Sequence, residues 1–378
     1  MSFSAFDQAM MAKALQVAAQ GAALTSPNPC VGAVIVAGED IIGYGHSQAA
    51  GGAHAEIMAL KMAKAKAPGQ LVGATAYVTL EPCSHFGRTP PCANALIGAG
   101  IDRVIAALRD PNPLVAGQGL ARLANHGIEV AHGLLAEQAR ELHKGFLSRM
   151  IRQRPWVTVK LAASLDGRIA LENGQSQWIT GAEARLDVQR LRAQACAVLT
   201  GVGTVLADDP QLNVRELAVS RQPQRVVLDS RGRTPHAAKV LTSSGGYTHV
   251  LSGAGPAELQ HFHSEQSCAV QLPLRDGELD LHAAMAYLGQ QGFNQVLVEA
   301  GGTLVGALLQ AGLVDEIILY QAMSLLGKGR GMADFTLSDL ADQHRLTLLE
   351  QRRVGADQRL TLRMTQPHIA FAQATAVA

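Results

Sequence analysis

The chain has 378 residues, 32 Lys and Arg against 31 Asp and Glu, and 48% hydrophobic residues. That length suggests two domains, three at most, each long enough to bury a core of its own. A net charge of +1 excludes a broad electrostatic grip on nucleic acid, which needs several Lys or Arg set against phosphates.

From the N-terminus, Phe6, Met10, Met11, Ala14 and Leu15 recur at helical spacing, while Asp7, Gln8, Lys13 and Gln16 break up any signal-peptide core. VGAVIV (31–36) and the stretch around Ile41 read as strands joined by a Gly38-Glu39-Asp40 turn. A helix over 54–66, a strand over 74–80, a short helix over 91–99 and a strand over 102–108 follow. Next come a helix near 117–126, a strand near 128–131 and a helix near 136–149. SRMIRQRP (148–155), polar, basic and closed by Pro155, reads as a domain boundary. Beyond it WVTVKLA (156–162), CAVLT (196–200), RVVLD (225–229), THVLS (248–252), QVLVE (295–299) and EIILY (316–320) read as strands. Strands alternating with helical patterns indicate an α/β protein. The last dozen residues read as loosely held. No run approaches the ~18 apolar residues of a membrane span. The five cysteines share no repeated spacing and suit a reducing compartment, so the expected location is cytoplasmic.

Three elements in the first half carry chemistry. His54-Ala55-Glu56 opens a helix, Pro82-Cys83 ends a strand, and Pro91-Cys92 opens the next helix. One imidazole and two thiolates suit Zn²⁺ and leave its fourth position to water, which such an ion acidifies toward neutral pH. Glu56, two residues from His54, can then shuttle a proton from that water to a leaving amine. This is the signature of zinc nucleobase deaminases, in which the Glu is no ligand. Positions i and i+2 lie about 200° apart in a regular helix, so His54 and Glu56 converge only at an irregular first turn. Gly51-Gly52 permits one. A helix N-terminus at Cys92 would favour its thiolate. A structural zinc with His85 as fourth ligand remains an alternative. Cys30 reads as a packing residue, and His126, His132 and His143 as surface or helix-end residues.

TLEPCSHFGRTPPC (79–92) and TSPNPCVGAVIV (25–36) resemble the bifunctional deaminase/reductase family of bacterial riboflavin biosynthesis. In nucleoside and tRNA deaminases the two cysteines form a Cys-x-x-Cys pair, whereas eight residues separate them here. The resemblance implies that this insertion, with His85, Arg88 and Thr89, meets a phosphorylated ribosyl pyrimidine; Arg88 would contact the phosphate. Ser47 stands where the family has a His seven residues before the zinc His, and His46 lies one earlier.

The second half lacks a complete GxGxxG, since Leu206 replaces the third glycine after Gly201 and Gly203. A conventional Rossmann domain is therefore not supported. QVLVEAGGTLVGALLQAG (295–312) runs a strand through Gly301-Gly302-Thr303 into a helix whose free amides could cradle a pyrophosphate; a tight turn without ligand fits equally. Ser230, Arg231 and Arg233 could hold a 2′-phosphate, or form a solvated basic loop.

KLAASLDGRIA (160–170), SQWIT (176–180), RLRAQACAVLTGVGTVLADDPQLNVR (190–215) and VEAGGTL (298–304) are similar to the reductase part of the same family. The similarity runs from about residue 5 to about residue 365. It implies an α/β chain with an N-terminal cytidine-deaminase-like three-layer domain (1–150) and a C-terminal dihydrofolate-reductase-like domain (151–378). Ala162, Trp178, Thr204, Asp208, Ser230 and Gly301, Gly302, Thr303 and Leu304 would contact NADPH. Ser176, Arg192, Leu212, Arg215 and Glu299 would hold the substrate, with the arginines suited to its phosphate. Lys160 and Asp166 would assist ring opening of the ribose, although Asp166 also reads as a turn residue and Trp178 as a buried anchor. The implied reactions are zinc-dependent deamination of 2,5-diamino-6-ribosylamino-4(3H)-pyrimidinone 5′-phosphate and then NADPH-dependent reduction of its ribosyl group. The expected partners are a small phosphorylated pyrimidine and a second copy of the chain, with no nucleic acid and no membrane. Two rival readings are a nucleic-acid base editor, disfavoured by neutral charge and 4% aromatic residues, and a non-catalytic zinc-stabilised binding protein.

Overall fold

The computed structural model describes residues 3–85, 90–112 and 115–365. The chain divides into two compact units between Arg152 and Gln153.

In the first unit the described strands are β1 (Gly32–Ala37), β2 (Asp40–His46), β3 (Thr75–Val78), β4 (Arg103–Ala106) and β5 (Glu129–His132). They form one sheet in the order β2-β1-β3-β4-β5, antiparallel as far as β3 and parallel from there on. Its helices are α1 (Ala5–Gln20), α2 (Ala55–Lys66), α3 (Cys92–Gly98), α4 (Gln118–Ala124) and α5 (Ala136–Arg152). Gly32 of β1 faces Ala14 and Ala18 of α1, while Gly43 of β2 faces Ala59 and Ala63 of α2. Because β1 is buried along nearly its whole length, helices on both faces explain its unbroken apolar run. Ser4 caps α1 in a reciprocal capping box with Asp7.

α5 continues to Arg152, beyond the helix end read from sequence, and Ser148 within the presumed linker is fully buried. The basic residues there complement the negative end of the helix, since Arg149 and Arg152 occupy its last turn. His143, expected near the surface, is instead buried on α5, where its Nε2 meets the Thr79 hydroxyl at 3.2 Å. Burial holds its imidazole down at about 4.

The second unit contains β6 (Trp156–Ala163), β7 (Arg168–Leu171), β8 (Ala197–Gly201), β9 (Gln224–Leu228), β10 (Thr248–Ser252), β11 (Ser267–Gln271), β12 (Leu274–Arg275) and β13 (Glu278–Leu279). β14 (Gln295–Val298), β15 (Glu316–Gln321), β16 (Gly329–Gly331), β17 (Leu346–Val354) and β18 (Asp357–Met364) follow. The described main sheet has nine strands in the order β11-β10-β9-β8-β14-β6-β15-β18-β17. It is parallel from β11 to β15 and antiparallel across β15, β18 and β17. β7/β16 and β12/β13 are separate ribbons. The helices are α6 (Ala182–Gln194), α7 (Val202–Asp208), α8 (Lys239–Thr242), α9 (Pro256–Leu259), α10 (Leu281–Gln290) and α11 (Gly302–Gln310). β8 to β11 extend the sheet to one side of β6, whereas β14 returns beside β6 and β15 lies on its far side. Direction thus reverses around β6, and ligand sites in open parallel sheets lie at the carboxyl edge of such a reversal.

Candidate active sites

His54 is the N-cap of α2, with an extended backbone (φ −75°, ψ 165°), so Glu56 lies in the irregular first turn. Cys92 opens α3, and Cys83 follows the end of β3. The His54 Nδ1 lies 3.2 Å from the Cys92 sulfur and 3.6 Å from that of Cys83. All three donor atoms fall within 4.8 Å of one another. His85 is exposed and stands outside this group, which leaves a three-ligand set with an open side among the described residues.

In the chain itself the imidazole and both sulfurs lie in mutual contact, with the Cys92 amide donating to the Cys83 sulfur at 3.3 Å. The Cys92 thiol and amide, together with His54, hold Cys83 down at about 4 against the opposing effect of burial. Donation to Cys83 and burial push Cys92 up, opposite to the effect expected from its helix position. A cation binding both sulfurs would displace the Cys92 thiol proton. Glu56 is 3% exposed, and burial followed by the Cys83 charge pushes its carboxyl up to about 7.

These groups open on a cavity of about 680 Å³ lined also by Asn28, Ser47, Glu81, Asp110, Asn112 and Arg149. Ser47 fronts the cavity, whereas His46 turns its Nδ1 to the Ser47 carbonyl at 2.9 Å. Cys30 is buried against the Ala18 carbonyl, and burial pushes its thiol up to about 11, as suits a packing residue. Arg88 and Thr89 lie outside the described residues. Sequence reasoning passed over Asp110 and Asn112. The available signal was Asp-Pro-Asn directly past a parallel strand, where ligand-facing loops gather.

In the second unit the carboxyl edge brings together Ala162 at the end of β6, Thr204 on α7 after β8, and Ser230 after β9. Glu299 follows β14, and Gly301 to Leu304 start α11. Gly301 is the N-cap of α11 and supplies no capping side chain. Two buried polar atoms at this edge, Thr200 Oγ1 and Asp229 Oδ1, have no partner among the described residues. Both suit an edge built to meet a polar ligand.

Arg192 makes a bidentate pair with Glu299 at 2.6 and 2.9 Å and also donates to the Asn213 carbonyl. Glu299 is held down mainly by Arg192, against burial. Lys160, on β6, is pushed down by burial, with Glu299 opposing. Arg215 is exposed and bonds the neutral side chains of Asn213 and Gln211. Leu212 is buried with a left-handed backbone (φ 53°), and Ser176 lies in the segment after β7.

One placement departs from a reading above, and others define local contacts. Trp178 is 69% exposed, with the Arg185 guanidinium 4.5 Å from its ring centre, so it is no buried anchor. Asp166 accepts from the Ser164 hydroxyl and the amides of Leu326 and Gly327, so it clamps a turn to the segment after β15. The Ser230 hydroxyl donates to Glu278 at 2.8 Å, and Arg231 faces the same carboxylate at 3.6 Å. Asp208 is exposed at the end of α7.

Residues 155–360 match the family described as RibD C-terminal domain, and residues 4–108 match the cytidine and deoxycytidylate deaminase zinc-binding region. The chain is 48% identical over 365 residues to the riboflavin biosynthesis protein RibD of Escherichia coli (strain K12), covering 93% of this chain and 97% of that protein. The chain belongs to the RibD family. The structure of Acinetobacter baumannii RibD is also similar: TM-score 0.87, 44% identity, 96% of this chain and 99% of that one covered. A Thermotoga maritima structure shares TM-score 0.85 and 34% identity over 95% of this chain and 99% of its own. It is described as a diaminohydroxyphosphoribosylaminopyrimidine deaminase/5-amino-6-(5-phosphoribosylamino)uracil reductase. As a RibD-family member the chain is a bifunctional deaminase/reductase of riboflavin biosynthesis, with a zinc-binding deaminase domain ahead of a reductase domain. The cytidine-deaminase-like and dihydrofolate-reductase-like folds implied by the sequence motifs are borne out.

Proposed function

We propose that the first unit deaminates 2,5-diamino-6-ribosylamino-4(3H)-pyrimidinone 5′-phosphate to the corresponding uracil. The second unit then reduces its ribosyl group to ribityl with NADPH. The observation that carries this reading is the His54, Cys83 and Cys92 cluster beside buried Glu56 in one cavity. Imidazole nitrogen and two sulfurs fit a single Zn²⁺, which when bound supplies an acidified water. Glu56 takes a proton there and delivers it to the departing amine, with its carboxylate fixed by the first turn of α2. Asp110 and Asn112, which line the same cavity, offer polar contacts to the ring.

In the second unit NADPH, when bound, supplies hydride to the ribosyl C1′. Gly301, Gly302, Thr303 and Leu304 present amides at the positive end of α11 to the cofactor pyrophosphate. We assign Ala162, Trp178, Thr204, Asp208 and Ser230 to the cofactor as well, on the family resemblance. Glu278 occupies Ser230 and Arg231 in the structure, so 2′-phosphate recognition requires those side chains to exchange partners. Substrate contacts fall to Lys160, Ser176, Leu212, Arg215 and the Arg192–Glu299 pair. Arg215 takes the phosphate, because Arg192 is already neutralised by Glu299.

We infer a homodimer as well, supported by edge strand β17, which exposes Leu346, Leu348 and Leu349. Cytoplasmic location belongs to the same proposal and rests on five free cysteines. Among the described residues no helix is long and apolar enough to cross a membrane.

The test follows ammonia and NADPH absorbance together in zinc-loaded protein given the diaminopyrimidinone ribosyl phosphate. Ammonia release without NADPH, then NADPH oxidation on its addition, is the expected result. Ammonia without any NADPH oxidation overturns the reductase half, and neither signal overturns both.

A further inference from the structure

One wall of the cavity is a loop, and its attachment is specific. Asp110, Asn112 and Val115 line the cavity from the segment between β4 and α4. Internal bonds shape part of it: Asp110 Oδ1 accepts from the Asn112 amide at 2.8 Å, and the Asn112 carbonyl accepts from Val115 and Ala116. Among the described contacts, the carboxylate of Glu81, two residues before Cys83, fastens the segment to the rest of the site.

Glu81 is 4% exposed. Its Oε2 accepts from the Asp110 amide at 3.1 Å and the Gly117 amide at 3.0 Å, and its Oε1 from the Leu120 amide at 3.1 Å. These donors bracket the loop: one stands at its start, one is the N-cap of α4, and one lies in the first turn of that helix. Gly117 has no side chain with which to cap α4, so Glu81 caps it from another segment, with its charge at the favourable end of the helix dipole. The contact is tight. A Cβ on Gly119 would lie 1.9 Å from the Pro82 carbonyl oxygen, so the start of α4 presses directly on the Glu81-Pro82 backbone. The Glu81 amide itself donates to the Leu108 carbonyl at 2.9 Å, which locks the carboxylate in register with the strand the loop leaves.

We propose that Glu81 is a positioning residue for deamination: it sets the distance between the Asp110–Asn112 wall and the His54, Cys83 and Cys92 cluster, and so governs substrate affinity. It ties both ends of the wall to the segment that carries Cys83, and its described hydrogen bonds all come from backbone amides. The proposal rests on the deaminase reading above.

The test uses the full zinc-loaded chain with Glu81→Gln and Glu81→Asp. Gln keeps the volume but turns an NH₂ toward backbone donors, which leaves one or two amides without an acceptor. Asp keeps the charge and shortens the reach. The expected result is a KM for the diaminopyrimidinone substrate raised roughly tenfold or more in Gln and less in Asp. The fall in kcat should be much smaller, with full zinc content and unchanged reductase kinetics on the deaminated substrate. Amide exchange at Asp110, Gly117 and Leu120 should accelerate in both variants. If Glu81→Gln does not fold, the KM and exchange of Glu81→Asp decide the matter. An unchanged KM in either folded variant overturns the proposal, as does a loss of kcat with zinc, which would make Glu81 a support of the ligand turn. A wild-type chain that releases no ammonia overturns the deaminase reading itself, so the two failures are distinguishable.

Discussion

At the scale of single residues, two carboxylates with opposite environments lead to separate predictions. Glu56 is buried beside the ligand cluster, and replacing it by Gln keeps its size while removing its capacity to carry a proton. Deamination should fall by roughly 10²–10⁴-fold. Zinc content and NADPH oxidation with the deaminated substrate should stay at wild-type levels. A variant that still released ammonia at the normal rate would dismiss Glu56 as the proton carrier. Asp7 is buried too, and burial alone would raise it. The Ser4 amide and hydroxyl, the Tyr77 hydroxyl at 2.8 Å and the Arg103 guanidinium at 2.8 Å outweigh that effect and hold it at about 2. The folded value lies below the 3.8 of a free carboxyl, so the charged form stabilises the fold above that pH. The contribution, about 2 kcal/mol by the 1.36 kcal/mol per unit relation, disappears as pH falls from 3.8 through about 2. Denaturant unfolding of wild type and Asp7→Asn between pH 5 and pH 2 should show the gap between them closing over that window. A gap that stayed constant would remove Asp7 as its source.

Among elements, the contact of α1 with β1 leaves little tolerance. A Cβ on Gly32 would lie 2.1 Å from the Ala14 carbonyl oxygen and 2.7 Å from the Ala18 amide nitrogen. Both are helix backbone atoms, so α1 must move as a body. Gly32→Ala should therefore cost about 3 kcal/mol. Gly98→Ala, where nothing lies within 4 Å, should be neutral or gain up to about 1 kcal/mol from helix propensity. Thermal unfolding of the pair checks this, and equal melting temperatures would mean that the α1–β1 spacing is adjustable. Elements also show where the sequence was legible. The His-Ala-Glu and two Pro-Cys pairs announce their chemistry locally, because the N-cap of α2 and the start of α3 present them without help from distant residues. The last turns of α5 were misread because a polar, basic helix end looks like a linker. β17 and β18 escaped notice because β17 is exposed along most of its length and carries Glu-Gln-Arg-Arg before its last residue, so the two-residue alternation is lost. Glu81 was invisible as well: its partners are backbone amides, which leave no trace in residue identity.

For the whole molecule, the placement of the metal cluster makes a regional prediction. His54, Cys83 and Cys92 belong to α2, the end of β3 and α3, all in the first unit. Removing zinc with a chelator should accelerate amide exchange over residues 54–98 while leaving residues 156–163 and 295–321 as they were. Adding NADPH should do the converse and protect the carboxyl edge around residues 301–304. Equal acceleration in both regions after chelation would contradict a metal confined to the first unit.

The return of β14 to the middle of the second sheet also bears on how the chain comes to be folded at all. The first unit has every described strand of its sheet in hand by His132, so it can close while the remainder is still being made. β6 cannot. Its two neighbours, β14 and β15, begin about 130 and about 150 residues after it ends. At synthesis rates of about 5–20 residues per second, this apolar strand waits on the order of 10 seconds for its first partner. Pairings so distant in sequence are also slow to form once the partner exists. The reductase half is thus the late and aggregation-exposed step of biogenesis, and a ribosome-stalled chain ending near residue 280 should already hold zinc while its β6 is still a client for chaperones.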